Sequence, residues 1–152
     1  MASPLTQLRQ VTRSELPLLL QGLRGLADFE CKLREFTCTE AWLEKMIFGP
    51  DHRLGAHLLW CDEQCVGIVT WYDTIGSFRM SKNLFIEDLY IWPEFRRRGY
   101  CKQLMLQLKA WSVELGYSRL EWKVLHWNSI AQQFYKSLGS CEDREFLSYL
   151  WK

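Results

Sequence analysis

The chain has 152 residues, 48% hydrophobic and 24% charged, a length for one domain over residues 1–152 and a composition that excludes intrinsic disorder. Nineteen Lys and Arg against eighteen Asp and Glu leave a net charge of +1, short of the basic excess with which duplex nucleic-acid binders meet phosphate. No apolar run approaches the roughly 20 residues of a membrane span, and the opening Met1-Ala2-Ser3-Pro4-Leu5-Thr6 lacks the regions of a signal peptide. The expectation is a cytoplasmic protein with neither a membrane nor a nucleic-acid partner.

Residues 5–11 alternate loosely and suggest a first strand. Residues 12–29 carry Leu16, Leu19, Leu20, Leu23, Leu26 and Ala27 at helical spacing. Thr37-Cys38-Thr39-Glu40 fits a capping box ahead of a short helix with Trp42, Met46 and Ile47 on one face, stopped by Gly49-Pro50. Residues 56–61 and 65–72 read as strands of a hairpin turning at Asp62-Glu63-Gln64. Another strand runs over 84–92. The clearest helix covers 101–115, with Leu104, Met105, Leu108, Trp111 and Leu115 on one face and Gly116 as its stop. A strand over 120–125 follows, then a helix capped by Asn128 and closed by Gly139, then a last strand over 145–151. The order β-α-α-β-β-β-α-β-α-β predicts a mixed α/β fold, a central mixed sheet with helices on both faces.

The six cysteines make no C-x-x-C pair, and the three histidines offer no matching spacing, so no metal is expected. The thiols read as small, reduced hydrophobes, and none is nominated as a nucleophile.

Chemistry concentrates in Pro93-Glu94-Phe95-Arg96-Arg97-Arg98-Gly99-Tyr100-Cys101-Lys102, between a buried strand and an amphipathic helix. In that setting free backbone N–H groups and the helix dipole bind phosphate. Four cationic side chains within seven residues point to a polyanion such as a pyrophosphate, against the plain alternative of a solvated charge run. Both G-x-x-x-x-G-K-[ST] and G-x-G-x-x-G are absent, which disfavours nucleotide hydrolysis.

Just upstream, the strand over 84–91 is apolar at both parities yet holds Glu87 and Asp88 in its middle. Adjacent strand residues point to opposite faces, and a buried carboxylate is costly unless paired or open to a cleft. Either one face opens on a polar site, or a bulge re-aims a side chain, or the pair is neutralised by a buried Arg or Lys.

Arg96-Arg97-Arg98-Gly99-Tyr100-Cys101 resembles motif A of the GNAT N-acetyltransferases, R/Q-x-x-G-x-G/A, with Cys101 in place of the usual Gly or Ala. The strand over 84–91 resembles that family's fourth strand, and Trp127-Asn128, Phe134-Tyr135-Lys136 and Gly139 resemble its W-N…F-Y-K…G motif. The combination, with Leu26-Ala27-Asp28-Phe29-Glu30, is most similar to the branch holding the spermidine/spermine and thialysine N-acetyltransferases.

The resemblance implies an acetyl-CoA-dependent enzyme, usually a homodimer, that acetylates a primary amine of a small molecule such as a polyamine or lysine-like amino acid. It implies Glu87 as amine ligand and water-mediated base, and Tyr135 as proton donor to the leaving thiolate. Leu89, Tyr90, Ile91, Arg96, Arg97, Arg98, Gly99, Tyr100, Cys101, Lys102 and Asn128 would meet the coenzyme, and Phe29, Glu30, Glu87 and Asp88 the amine. Asp88, His126 and water stay open as other bases. The alternatives are a peptide N-acetyltransferase and a non-catalytic acyl-CoA-binding module.

Overall fold

A computed structural model of the chain describes residues 5–152. The fold forms two compact units, one ending at Trp122 and one from Lys123 to Lys152.

The first unit is built on a five-stranded sheet in sequential order, β1 (Thr6–Gln10), β2 (Gly55–Cys61), β3 (Gln64–Gly76), β4 (Ser81–Ile91) and β5 (Leu120–Trp122). The first three pairings are antiparallel and β4–β5 is parallel, so the sheet is mixed as expected. The parallel step is made by a crossover through α3 (Tyr100–Glu114).

Two helices precede β2: α1 (Leu16–Phe29) and α2 (Glu40–Phe48). Leu16, Leu19, Leu23 and Leu43 form one core with Leu58, Ile68 and Tyr90. Glycine lets α1 lie close on the sheet, because a Cβ at Gly25 would stand 2.7 Å from the Tyr90 ring. On the opposite parity of β3, a Cβ at Gly67 would meet Ile91 and Leu104 of α3. Side chains alternate across a strand, so α1 and α3 cover opposite faces.

Three local readings change. Helix α2 is capped by Thr39, whose Oγ1 accepts from Trp42 N–H at 3.2 Å, not by Thr37. The helix therefore buries Leu43 and leaves Trp42 50% exposed. Strand β3 runs on to Gly76, past the expected end at 72, because Asp73, Thr74, Ile75 and Gly76 find partners in β4. Strand β5 stops at Trp122 rather than 125.

The second unit holds α4 (Ser129–Ser137), capped by Asn128 and followed by Gly139 at φ +85. The expected last strand over 145–151 is not formed. Strands exist by pairing, and this unit's described residues contain no other strand to pair with. The observed order is β-α-α-β-β-β-α-β-α, the expected one without its final strand.

Candidate active site

Strand β5 pairs with β4 only at Leu84, Phe85 and Ile86. Beyond them the β5-side edge of β4 has no strand partner among the described residues, and the Ile91 carbonyl accepts instead from the Arg96 side chain.

The register of β3 on β4 slips at the same place. Thr70 faces Asp88 and Trp71 faces Ile86, so the register skips Glu87, which is the bulge residue. The bulge resolves the buried-carboxylate conflict. It leaves Glu87 exposed and turns Asp88 to the same face as Tyr90 and α1. There Asp88 accepts a hydrogen bond from Thr70 Oγ1 at 2.5 Å. Burial pushes the Asp88 carboxyl above its ordinary value, and the Thr70 bond pulls it partly back.

Two groups on this face feel the Asp88 charge. The Glu30 carboxyl is raised by burial and by Asp88, against the pull of Lys32 at 3.8 Å. The Cys38 thiol is raised by burial first and Asp88 second. Glu30 and Asp88, both expected at the amine side, are therefore brought together.

Tyr72 and Glu121 join Glu87, and the sequence alone singles out neither. The Tyr72 hydroxyl is raised by burial, then by Glu87 and Glu121. Glu121 sits opposite Phe85 on β5, accepts from Thr74 Oγ1 at 3.3 Å and is bridged by Arg119 at 2.6 Å. The only signal for it is the β4–β5 register, which the sequence does not show.

After β4 the chain makes a 3-10 turn at Pro93–Phe95 and then a turn with two left-handed residues, Arg97 at φ +62 and Gly99 at φ +81. Gly99 is the N-cap of α3, so its N–H and those of Tyr100, Cys101 and Lys102 lack intrahelical acceptors. A Cβ at Gly99 would meet nothing within 4 Å, and Arg97, Arg98 and Gly99 are exposed. Free donors, a helix N-terminus and open space are what an anionic diphosphate needs.

The cations differ from one another. Arg97, Arg98 and Lys102 are exposed, with Arg98 6.0 Å from the Phe95 ring. Arg96 turns inward. Its Nε donates to Ile91 O at 3.0 Å, and its guanidinium lies 5.1 Å from the Phe29 ring and 5.2 Å from the Tyr90 ring. Tyr100 is buried with its hydroxyl 3.5 Å from Cys61 Sγ. Burial pushes the Cys101 thiol up to about 12, consistent with a packing role.

In the second unit, Asn128 Oδ1 accepts from Ala131 N–H at 3.1 Å, and Gln132 Nε2 donates to the Leu125 and His126 carbonyls. Tyr135 lies two turns along α4, its ring 5.2 Å from Phe134 and its carbonyl accepting from Ser140 Oγ. Among the described residues no group of three or more His, Cys, Asp and Glu is placed to hold a metal. No helix among them is long and apolar enough to cross a membrane.

Residues 23–139 match the Acetyltransferase (GNAT) family, more than half of the chain. The chain belongs to the GNAT acetyltransferase family. This GNAT acetyltransferase is 30% identical over 128 residues to a thialysine N-epsilon-acetyltransferase of Caenorhabditis elegans, covering 84% of the chain and 78% of the relative. It is 26% identical over 141 residues to the Bos taurus enzyme of the same name, covering 88% and 82%. The fold is shared with a solved aminoglycoside N-acetyltransferase, AAC(6')-Iy in complex with CoA, at a TM-score of 0.74, 19% identity and coverage of 99% and 97%. The mixed sheet and helix order fit that assignment, as the sequence motifs predict.

Proposed function

We propose that this GNAT enzyme is an acetyl-CoA-dependent N-acetyltransferase acting on a primary amine of a small molecule, either a polyamine or a lysine-like amino acid. One observation carries the reading: the left-handed, exposed turn at Arg97 and Gly99 opens the N-terminus of α3 beside the unpaired edge of β4. The turn's amides and residues 97–102 would hold the diphosphate, and Leu89, Tyr90 and Asn128 the arm that follows it. The coenzyme supplies an acetyl group on a thioester, and the amine attacks it directly, with no acyl-enzyme. We assign the whole chain, 1–152, to one catalytic domain that works as a cytoplasmic homodimer.

A carboxylate is needed because the substrate amine is protonated. With a pKa near 10.4, only about 0.04% is neutral at pH 7, a cost of roughly 4.6 kcal/mol. Glu87, exposed on its bulge, attracts the ammonium and takes its proton through water. Tyr135 stabilises the departing thiolate. Full proton transfer from a tyrosine near 10 to a thiol near 8.5 is uphill by about 2 kcal/mol, so a hydrogen bond suffices. Glu30 and Asp88 add negative charge on the α1 side, which suits a cationic acceptor.

A second reading has Asp88 as the base, favoured by its burial-raised carboxyl, which is better matched to proton transfer near neutrality. The test is thiol release from acetyl-CoA over a panel of polyamines, diamines, lysine analogues and acceptor peptides. Turnover of small amines is expected. Peptide acetylation alone would favour a protein acetyltransferase, and coenzyme binding without any turnover would favour a non-catalytic module.

A further inference from the structure

We propose that Arg96 is a positioning residue that fastens the acceptor end of α1 to the coenzyme turn. The proposal rests on residues 97–102 binding acetyl-CoA. Read from sequence, Arg96 belongs with the phosphate ligands. In the fold its guanidinium is instead placed between two aromatic rings from different elements, Phe29 at the last position of α1 and Tyr90 near the end of β4. Its Nε holds the carbonyl of Ile91, the last residue of β4.

Three elements thus meet on one side chain. Tyr90 is 7% exposed and backed by Trp92, whose ring lies 5.7 Å away, and by α1, which Gly25 brings against it. That side of the clamp is fixed. Phe29 is 43% exposed at the helix end, directly before Glu30. Arg96 is followed at once by the left-handed Arg97 and, two residues later, by Gly99. Any shift of Phe29 is therefore transmitted to the residues that set the turn. A planar guanidinium suits the task, since it stacks on a ring while donating in its own plane, which an ammonium does not do.

This arrangement makes two claims that a phosphate-ligand role does not make. The function of Arg96 depends on guanidinium shape rather than on charge alone. Phe29, a residue on the amine side, tunes coenzyme affinity.

The test measures acetyl-CoA Kd by calorimetry, together with the KM for each substrate and kcat, in the full-length protein. The variants are Arg96→Lys, Arg96→Met, Phe29→Leu, Phe29→Tyr and the double Phe29→Leu/Arg96→Met. We expect Arg96→Lys, Arg96→Met and Phe29→Leu each to weaken coenzyme binding by about threefold to tenfold. The double variant should be no weaker than Arg96→Met alone, because both changes open the same clamp. Phe29→Tyr keeps the ring and should keep the affinity, which separates loss of the clamp from loss of fold. The KM for acetyl-CoA should rise by a larger factor than kcat falls. The proposal is overturned if Arg96→Lys binds like the parent, or if Phe29→Leu changes only the amine KM. A parent protein that binds no acetyl-CoA would overturn the functional reading and this inference with it. Binding by the parent with an unaffected Phe29→Leu would sink the inference alone.

Discussion

Thr70 and Asp88 stand opposite each other across β3 and β4 and share a hydrogen bond of 2.5 Å, next to the bulge at Glu87. The bond stabilises the ionised carboxylate in a partly buried place. Thr70→Val should therefore lower the unfolding free energy at pH 7 by about 1.5–3 kcal/mol. The folded-state value of Asp88 lies above its ordinary one, so the folded chain holds a proton there after the unfolded chain has released it. Acidification thus relieves the cost of burying this charge. The penalty of Thr70→Val should shrink as Asp88 protonates. Urea unfolding at pH 7 and pH 4 would show it, and an equal penalty at both would refute the role given to the bond.

His57 works in the opposite direction. It is 2% exposed, packed 4.5 Å from the Trp111 ring, and its Nδ1 accepts from Trp71 Nε1–H at 3.0 Å. Burial pushes its pKa down to about 4. The unfolded chain binds a proton at this site near 6.5 and the folded chain does not, so stability falls as pH drops from about 6.5 to 4, by about 3 kcal/mol. Protonation would also place a second N–H against that of Trp71. His57→Gln keeps an acceptor without titrating. Guanidinium melts of parent and variant should diverge below pH 6.5, and parallel curves would contradict the assignment.

Gly99 holds a left-handed conformation in open space. Gly99→Val costs backbone strain, about 1–2 kcal/mol of stability, and no clash within the first unit. It also puts a branched side chain over the N–H groups proposed to bind the diphosphate. Acetyl-CoA affinity should fall by more than tenfold while the fold persists. Unchanged affinity in a folded variant would remove the turn from the coenzyme site.

Asn128 caps α4 through Oδ1. Asn128→Ala should cost about 1 kcal/mol from loss of the cap. Asn128→Asp retains an oxygen acceptor and adds a charge favoured at a helix N-terminus, so stability should hold. If Asn128 also donates to the coenzyme arm, the aspartate variant should still show a raised KM for acetyl-CoA. A normal KM would confine the residue to capping.

Glu87→Gln and Tyr135→Phe should each lower kcat by at least about tenfold with near-normal coenzyme affinity, given the usual weight of positioned proton transfer. Stopped-assay thiol release would measure it. Full activity in both would return the base and donor roles to other groups, with Asp88→Asn the next variant to make.

Much of the fold is legible in the sequence because its signals are local. Leucines at helical spacing mark α1, Gly116 and Gly139 mark helix ends, and Asn128 marks a cap. The adjacent Glu87 and Asp88 signal a conflict between alternation and burial, for which a bulge is one of three resolutions the sequence leaves open. What escapes is set by pairing. The extension of β3 to Gly76, the early end of β5 and the missing strand over 145–151 depend on which neighbour a strand finds, and one strand's sequence does not carry that. The position of Glu121 opposite Phe85, where its charge reaches Tyr72, depends on the same register. Arg96 reads as a phosphate ligand because a run of four cations gives no sign of which one turns inward.

The long β3–β4 ribbon has one more implication. Past its pairing with the rest of the sheet it ends in Ser77-Phe78-Arg79-Met80, bracketed by Gly76 opposite Ser81, with Ile75, Phe78 and Met80 each more than 80% exposed. A two-stranded tip with little cover opens at small free-energy cost. Within the first unit, trypsin should nick the native protein after Arg79, leaving two fragments that stay associated through the remainder of the sheet.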